Sequence, residues 1–89
     1  MIRKHIVFTG KVQHVGFRWR ARRAAEAFGC TGWCRNNPDG SVTMEIQGSA
    51  AKAELVILAI RTGKRIHIEH TDVTSVPIIP DEQFFHSEY

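Results

Sequence analysis

Long apolar runs are missing from this chain. No stretch approaches the roughly 20 consecutive apolar residues that carry a helix across a bilayer, and no charged start followed by an apolar segment reads as a leader. Cysteine is scarce: Cys30 and Cys34 are the only 2, and they stand four apart. Redox pairs are usually spaced C-x-x-C, and a zinc site needs further ligands at suitable spacing. Buried structural thiols are therefore expected, with a disulfide between them left open. So little cysteine and no leader point to the cytoplasm. The 5 histidines, His5, His14, His67, His70 and His86, are scattered, and His67 with Glu69 is too little for a metal site. The sequence offers no nucleophile beside a base. No metal or other cofactor is expected, and no membrane partner.

The composition is that of a globular protein, 43% hydrophobic and 24% charged over 89 residues. Linkers, repeats and low-complexity tracts are absent, so one domain over 1–89 is expected. The net charge is +3, and the excess is local: Arg18, Arg20, Arg22 and Arg23 fall close together, with Arg35 further on. Such a cluster attracts anions, whether a phosphorylated small molecule, nucleic acid or a lipid surface. A merely solvated helix face is the alternative. Cations at a helix start oppose the helix dipole, which makes the cluster unusual.

The first ten residues predict a strand, with Ile6 and Phe8 alternating against Val7. A helix follows over about Phe17 to Phe28, with Ala21, Ala24, Ala25 and Phe28 on one face and Gly29 as its stop. Thr31 to Asn36 and Ser41 to Gln47 predict a hairpin closed by Asn37-Pro38-Asp39-Gly40. Ser49 caps a second helix over Ala50 to Arg61, which is apolar on nearly all sides. Lys64 to Val76 predicts another strand, and Phe84 to Tyr89 a short last one. The order βαββαβ, plus a possible edge strand, gives an α+β fold: a ferredoxin-like sandwich, with two helices on one face of an antiparallel sheet. That fold serves enzymes, metal carriers and RNA binders alike.

The stretch Gly10-Lys11-Val12-Gln13-His14-Val15-Gly16-Phe17-Arg18 joins the first strand to the first helix. A helix start gathers unpaired N–H groups and the positive end of the dipole, and so favours anions. Arg18 adds a forked guanidinium suited to phosphate oxygens. Asn36, an amide, ends the hairpin's first strand. An acyl phosphate asks for little more than this, because its carboxylate leaves without a general acid. Holding the phosphoryl oxygens, neutralising their charge and positioning a water would suffice.

Gly10-x-Val12-Gln13-x-Val15-x-Phe17-Arg18, followed by Gly32-Trp33-x-x-Asn36-x-x-Asp39-Gly40-x-Val42, resembles the two signature stretches of acylphosphatases. Element order and chain length fit that family as well, so the resemblance spans essentially the whole chain. It implies metal-independent hydrolysis of the carboxyl–phosphate bond, giving carboxylate and phosphate. By resemblance, Arg18 is the phosphate-binding arginine, Asn36 orients the water, and Val12, Gln13, His14, Val15, Gly16 and Phe17 form the backbone cradle. No chemistry is assigned to the Gln13 side chain. Expected partners are a small acyl phosphate substrate and inorganic phosphate as product and inhibitor; nucleic acid is not expected, and a monomer is.

His14 departs from the pattern, since the family usually has glycine there. Glycine reaches backbone angles that cost any residue with a Cβ, although histidine tolerates positive φ better than most. Cys34, where the family often has valine, packs as a small hydrophobe, and His86 and Ser87 leave the last strand polar. A second reading therefore stays open: a non-catalytic relative whose basic loop binds an anion or nucleic acid. For nucleic acid, Trp19 and Trp33 are the candidate exposed aromatics, with Trp33 expected in the core.

Overall fold

A computed structural model describes residues 1–88. Its elements are β1 (Ile2–Lys11), α1 (Phe17–Phe28), β2 (Thr31–Asn36), β3 (Val42–Gly48), α2 (Ala50–Arg61), β4 (His67–Ser75) and β5 (Phe85–Glu88). The sheet runs β4-β1-β3-β2-β5. β1 pairs antiparallel with β3 and β4, β2 antiparallel with β3, and β5 lies parallel to β2. This is the ferredoxin-like sandwich with a fifth strand added at one edge.

Alternation in the strands decides which face is covered. Ile6, Phe8, Cys34, Val42, Met44 and Ile46 are fully buried under the helices, the inward half of each period-2 pattern. Small residues let α1 approach closely, with Ala21, Ala24 and Ala25 buried beside Phe17. From α2 only Ala53, Val56 and Ile60 are buried, so a helix that looks apolar all round still shows one face to solvent. Ser49 caps it, its hydroxyl accepting from the Lys52 N–H at 3.2 Å.

Both helix predictions match the observed bounds. β4 starts at His67 rather than Lys64, because the Ile66 N–H turns back to the Gly63 carbonyl at 3.1 Å and Ile66 drops into the core ahead of the strand. Tyr89, the end of the expected last strand, lies outside the described residues. Gly10 marks a register shift in the β1–β4 pairing; a Cβ there would overlap the His67 carbonyl.

Trp33 is not in the core. Gly32 and Cys34 take the inward positions of β2, which turns Trp33 to the helix-free face. There it meets His5 edge-on at 6.2 Å between centroids and lies under the Arg35 guanidinium at 5.2 Å. The link from β4 to β5 crosses the end of this face and is fastened to it. Gln47 accepts from the Ile79 N–H at 2.8 Å and donates to its carbonyl at 3.0 Å. The fully buried Arg3 guanidinium reaches Glu45 at 2.7 Å and Glu82 at 2.8 Å. Burial alone would pull the Arg3 pKa down, but the hydrogen bonds to Glu82 and Glu45 outweigh it and the net shift is upward.

Candidate active site

β1 ends at Lys11 at the same end of the sheet where β2 ends at Asn36, β3 begins opposite it at Val42, and β5 finishes beside Arg35. The loop 12–16 spans this end. Its shape comes from two anchors and two left-handed residues. Val12 and Val15 are buried and hold the loop down, and Phe17 packs on Phe8 with centroids 4.9 Å apart. His14 has φ 60° and Gly16 φ 82°, whereas Val15 between them has no positive φ. Alternation of hand along a short loop turns successive N–H groups towards one point and makes a concave anion site.

Gly16 is also the N-cap of α1, and no side chain caps the helix there. The first turn of α1 thus adjoins the loop at the positive end of the helix dipole. No acidic residue stands in that first turn to neutralise it. A negative ligand fits this place on backbone grounds alone.

Arg18 is half-buried on α1 and donates from Nη1 to the Glu88 carbonyl of β5 at 2.9 Å. Its charge is felt at Cys34, two residues before Asn36 on the inward face of β2. Burial pushes the Cys34 thiol up to about 12; the Arg18 charge and a hydrogen bond with Ser87 only partly offset this, and nearby Glu88 adds to the rise. That thiol stays protonated at neutral pH and is no nucleophile. Cys30, likewise raised by burial, is also a free thiol.

Asn36 is half-buried where β2 gives way to the turn. The turn itself is tightly bonded: Asn37 Nδ2 donates to the hydroxyls of Ser41 at 2.9 Å and Thr43 at 2.7 Å. Asp39 accepts from both the hydroxyl and the N–H of Ser41, at 2.6 and 2.9 Å, and these bonds hold its carboxyl below the usual value.

Residues 4–87 match the model of the Acylphosphatase family. The chain belongs to the acylphosphatase family. Among its relatives, a protein called Acylphosphatase from Bifidobacterium longum is 42% identical over 82 residues, covering 91% of this chain and 84% of the relative. One of the same name from Geobacillus thermodenitrificans is 39% identical over 95 residues, covering 100% and 96%. The crystal structure of acylphosphatase from Bacillus subtilis superposes with a TM-score of 0.89 at 26% identity, covering 100% of both chains. The family's activity, hydrolysis of acyl phosphates, is accordingly the activity of this chain.

Seen as an acylphosphatase site, the sequence-predicted residues gather at one end of the sheet: the loop 12–16, Phe17 and Arg18 on α1, and Asn36 on β2. The fold gives Gln13 more weight than its sequence did. Its Nε2 donates to the carbonyls of Asn37 at 2.7 Å and Ser41 at 2.8 Å, tying the 12–16 loop to the turn that follows Asn36. A glutamine inside a loop motif hints at such a bond, but its partners lie 24 and 28 residues away and nothing local names them. The Glu88 carbonyl, which accepts from Arg18, and Ser87, which bonds with Cys34, were equally hidden in a polar strand end. Among the described residues no group of three or more His, Cys, Asp or Glu side chains could hold a metal ion, and no helix is long and apolar enough to cross a membrane.

Proposed function

We propose that the loop 12–18 with Arg18 holds the phosphoryl group of an acyl phosphate, that Asn36 orients the attacking water, and that no metal takes part. The observation that carries this reading is the pairing of left-handed His14 and Gly16 with a helix start that no side chain caps and whose first turn carries Arg18. Loop N–H groups and Arg18 neutralise the three phosphoryl oxygens as charge shifts in the transition state. The Asn36 amide holds a water in line with the bond to be broken. The water oxygen bonds to phosphorus as the phosphorus–oxygen bond to the acyl group breaks. The bond pair leaves on the carboxylate, and the water's proton passes to a phosphoryl oxygen or to solvent. Carboxylate is a weak base, so no general acid is required of the protein.

Inorganic phosphate, the product, fits the same loop and inhibits competitively. The reading extends to a cytoplasmic monomer without nucleic acid; its two reduced, buried cysteines suit that compartment. The test is benzoyl phosphate hydrolysis in excess EDTA. Wild-type turnover is expected to persist, and Arg18→Ala to lose about 10²–10³-fold in kcat/KM with the fold retained. Turnover abolished by the chelator, or untouched in Arg18→Ala, would overturn the reading.

A further inference from the structure

The charges of this protein are sorted by layer. Arg22, Arg23, Lys52, Arg61, Lys64 and Arg65 are all exposed on the helices and the turn after α2. Of the chain's 9 carboxylates only Glu26 and Glu54 stand on the helices; the others belong to strands and loops. The helical layer is thus strongly basic while the rest of the molecule is net acidic. Steering of an anionic substrate would account for some of this field, but not for what lies among the cations.

Trp19 is 64% exposed, Leu55 43% and Leu58 55%, and all three stand on this layer. Trp19 projects beside a shallow cleft of about 450 Å³ between the helices, lined by Arg23, Ala27, Phe28 and Ala59. The helices run in opposite directions, and Arg20 of the first turn of α1 donates to the Ala59 carbonyl near the end of α2 at 3.3 Å. Leu55 lies one turn before Ala59 on the same side of α2, and Leu58 three residues after Leu55. Helical spacing therefore puts Leu55 and Leu58 on the exposed side of α2 next to the cleft that Trp19 borders on α1, with Arg20 and Arg23 lining the cleft. The Arg23 guanidinium sits over the Trp19 ring at 5.0 Å, which places a cation and an indole at one height above the surface.

We propose that the outer face of the helical layer is a docking surface for an anionic phospholipid bilayer. Trp19, Leu55 and Leu58 enter the headgroup boundary while Arg22, Arg23 and their neighbours meet anionic headgroups. Contact of this kind lies on the surface and crosses nothing. Leucines beside an indole favour lipid over nucleic acid, whose phosphates and bases would use the cations and the ring but leave the leucines wet. The inference does not rest on the catalytic reading, because its readout is vesicle binding, although Lys64 and Arg65 of this layer border Val15 of the 12–16 loop.

The experiment is co-sedimentation of the whole chain with phosphatidylcholine vesicles containing about 30% phosphatidylserine, followed also by tryptophan emission. Wild type is expected to bind, to shift its emission to the blue, and to release at least tenfold as salt rises from about 50 to 300 mM. Pure phosphatidylcholine should capture little. Arg22→Glu with Arg23→Glu should cost at least tenfold in vesicle partitioning. Trp19→Ala with Leu58→Ala should cost a comparable factor, and Trp19→Phe should abolish the emission shift. Far-ultraviolet circular dichroism and the thermal unfolding midpoint should stay close to wild type in every variant, which shows that each is folded. No vesicle binding by wild type, binding indifferent to either double variant, or binding of a single-stranded RNA in place of vesicles would overturn the proposal.

Discussion

Gln13 and Asn37 are joined by a 2.7 Å hydrogen bond from the Gln13 amide to the Asn37 carbonyl. With its companion bond to Ser41, this ties the 12–16 loop to the turn after Asn36. Gln13→Ala removes one of two donors from each carbonyl, which keep the N–H groups of Gly40 and Asn37, and should lower stability by about 1 kcal/mol. Calorimetry checks that figure. Phosphate inhibition is expected to weaken by about tenfold, because a loop misplaced by a fraction of an ångström loses much of its positioning effect; unaltered inhibition with a lowered Tm would reduce Gln13 to a structural role.

Asn36 is expected to act on the chemical step rather than on phosphate binding. Asn36→Ala should reduce kcat about 10²-fold while the inhibition constant of phosphate moves little. Steady-state kinetics with benzoyl phosphate, with phosphate as inhibitor, separates the two effects. Equal losses in both would mean that Asn36 merely shapes the loop.

His14 adopts the left-handed conformation that its replacement of glycine put in question, with φ 60°. His14→Gly should therefore keep turnover, the relief of about 1 kcal/mol of backbone strain being offset by a more flexible unfolded chain. His14→Val should lower both stability and phosphate affinity, by about 1–2 kcal/mol in stability, since a β-branched residue suits that conformation poorly. Denaturant titration with and without phosphate reads both.

Glu45 carries the clearest pH dependence. Burial pushes its carboxyl up, yet the hydrogen bonds with His5, at 2.6 Å, and Arg3, at 2.7 Å, prevail and the net shift is below the ordinary 4.5. A carboxyl lowered by folding binds its proton more tightly in the unfolded chain. Its stabilisation is therefore complete above about pH 4.5 and is lost as pH falls through the lower folded value. Glu45→Gln leaves the buried Arg3 short of a partner and should be markedly less stable than wild type at pH 7, with the gap closing as acid is added. Unfolding followed at several pH values tests this; a gap independent of pH would show that packing, not charge, is what the glutamate supplies.

The cysteines should be silent in the native protein. With the Cys34 thiol pushed up to about 12, and Cys30 also raised by burial, neither presents a thiolate at pH 8. A disulfide-exchange reagent should label both only at the rate of unfolding. Rapid labelling of either in buffer would contradict their burial.

Both helices and the hairpin were legible because each has a local cause. Alanine spacing and Gly29 define α1, Ser49 starts α2, and Asn-Pro-Asp-Gly closes β2 on β3. The family was legible through two motifs, and the candidate site was suggested by those motifs and by the chemistry of an arginine at a helix start. Trp33 was misplaced because an indole signals burial in general, while its side of the sheet was decided by Gly32 and Cys34. Arg3 could not be foreseen at all: it reads as an ordinary surface cation, and its partners Glu45 and Glu82 lie 42 and 79 residues away. The arginine cluster had a cause of the same kind, because Arg20 faces the negative end of α2 rather than its own helix start.

The bond from Arg18 to the Glu88 carbonyl spans 70 residues of sequence. The Arg18 guanidinium is thus held by a strand that joins the sheet beside the first strand of the hairpin. Contacts of such separation form late, when most loop-closure entropy has already been spent. A half-assembled molecule, with β1, α1 and the hairpin in place but β5 undocked, holds every signature residue and lacks a set arginine. Recovery of turnover during refolding should consequently lag behind recovery of helical signal, which makes catalysis itself the reporter of the final docking step.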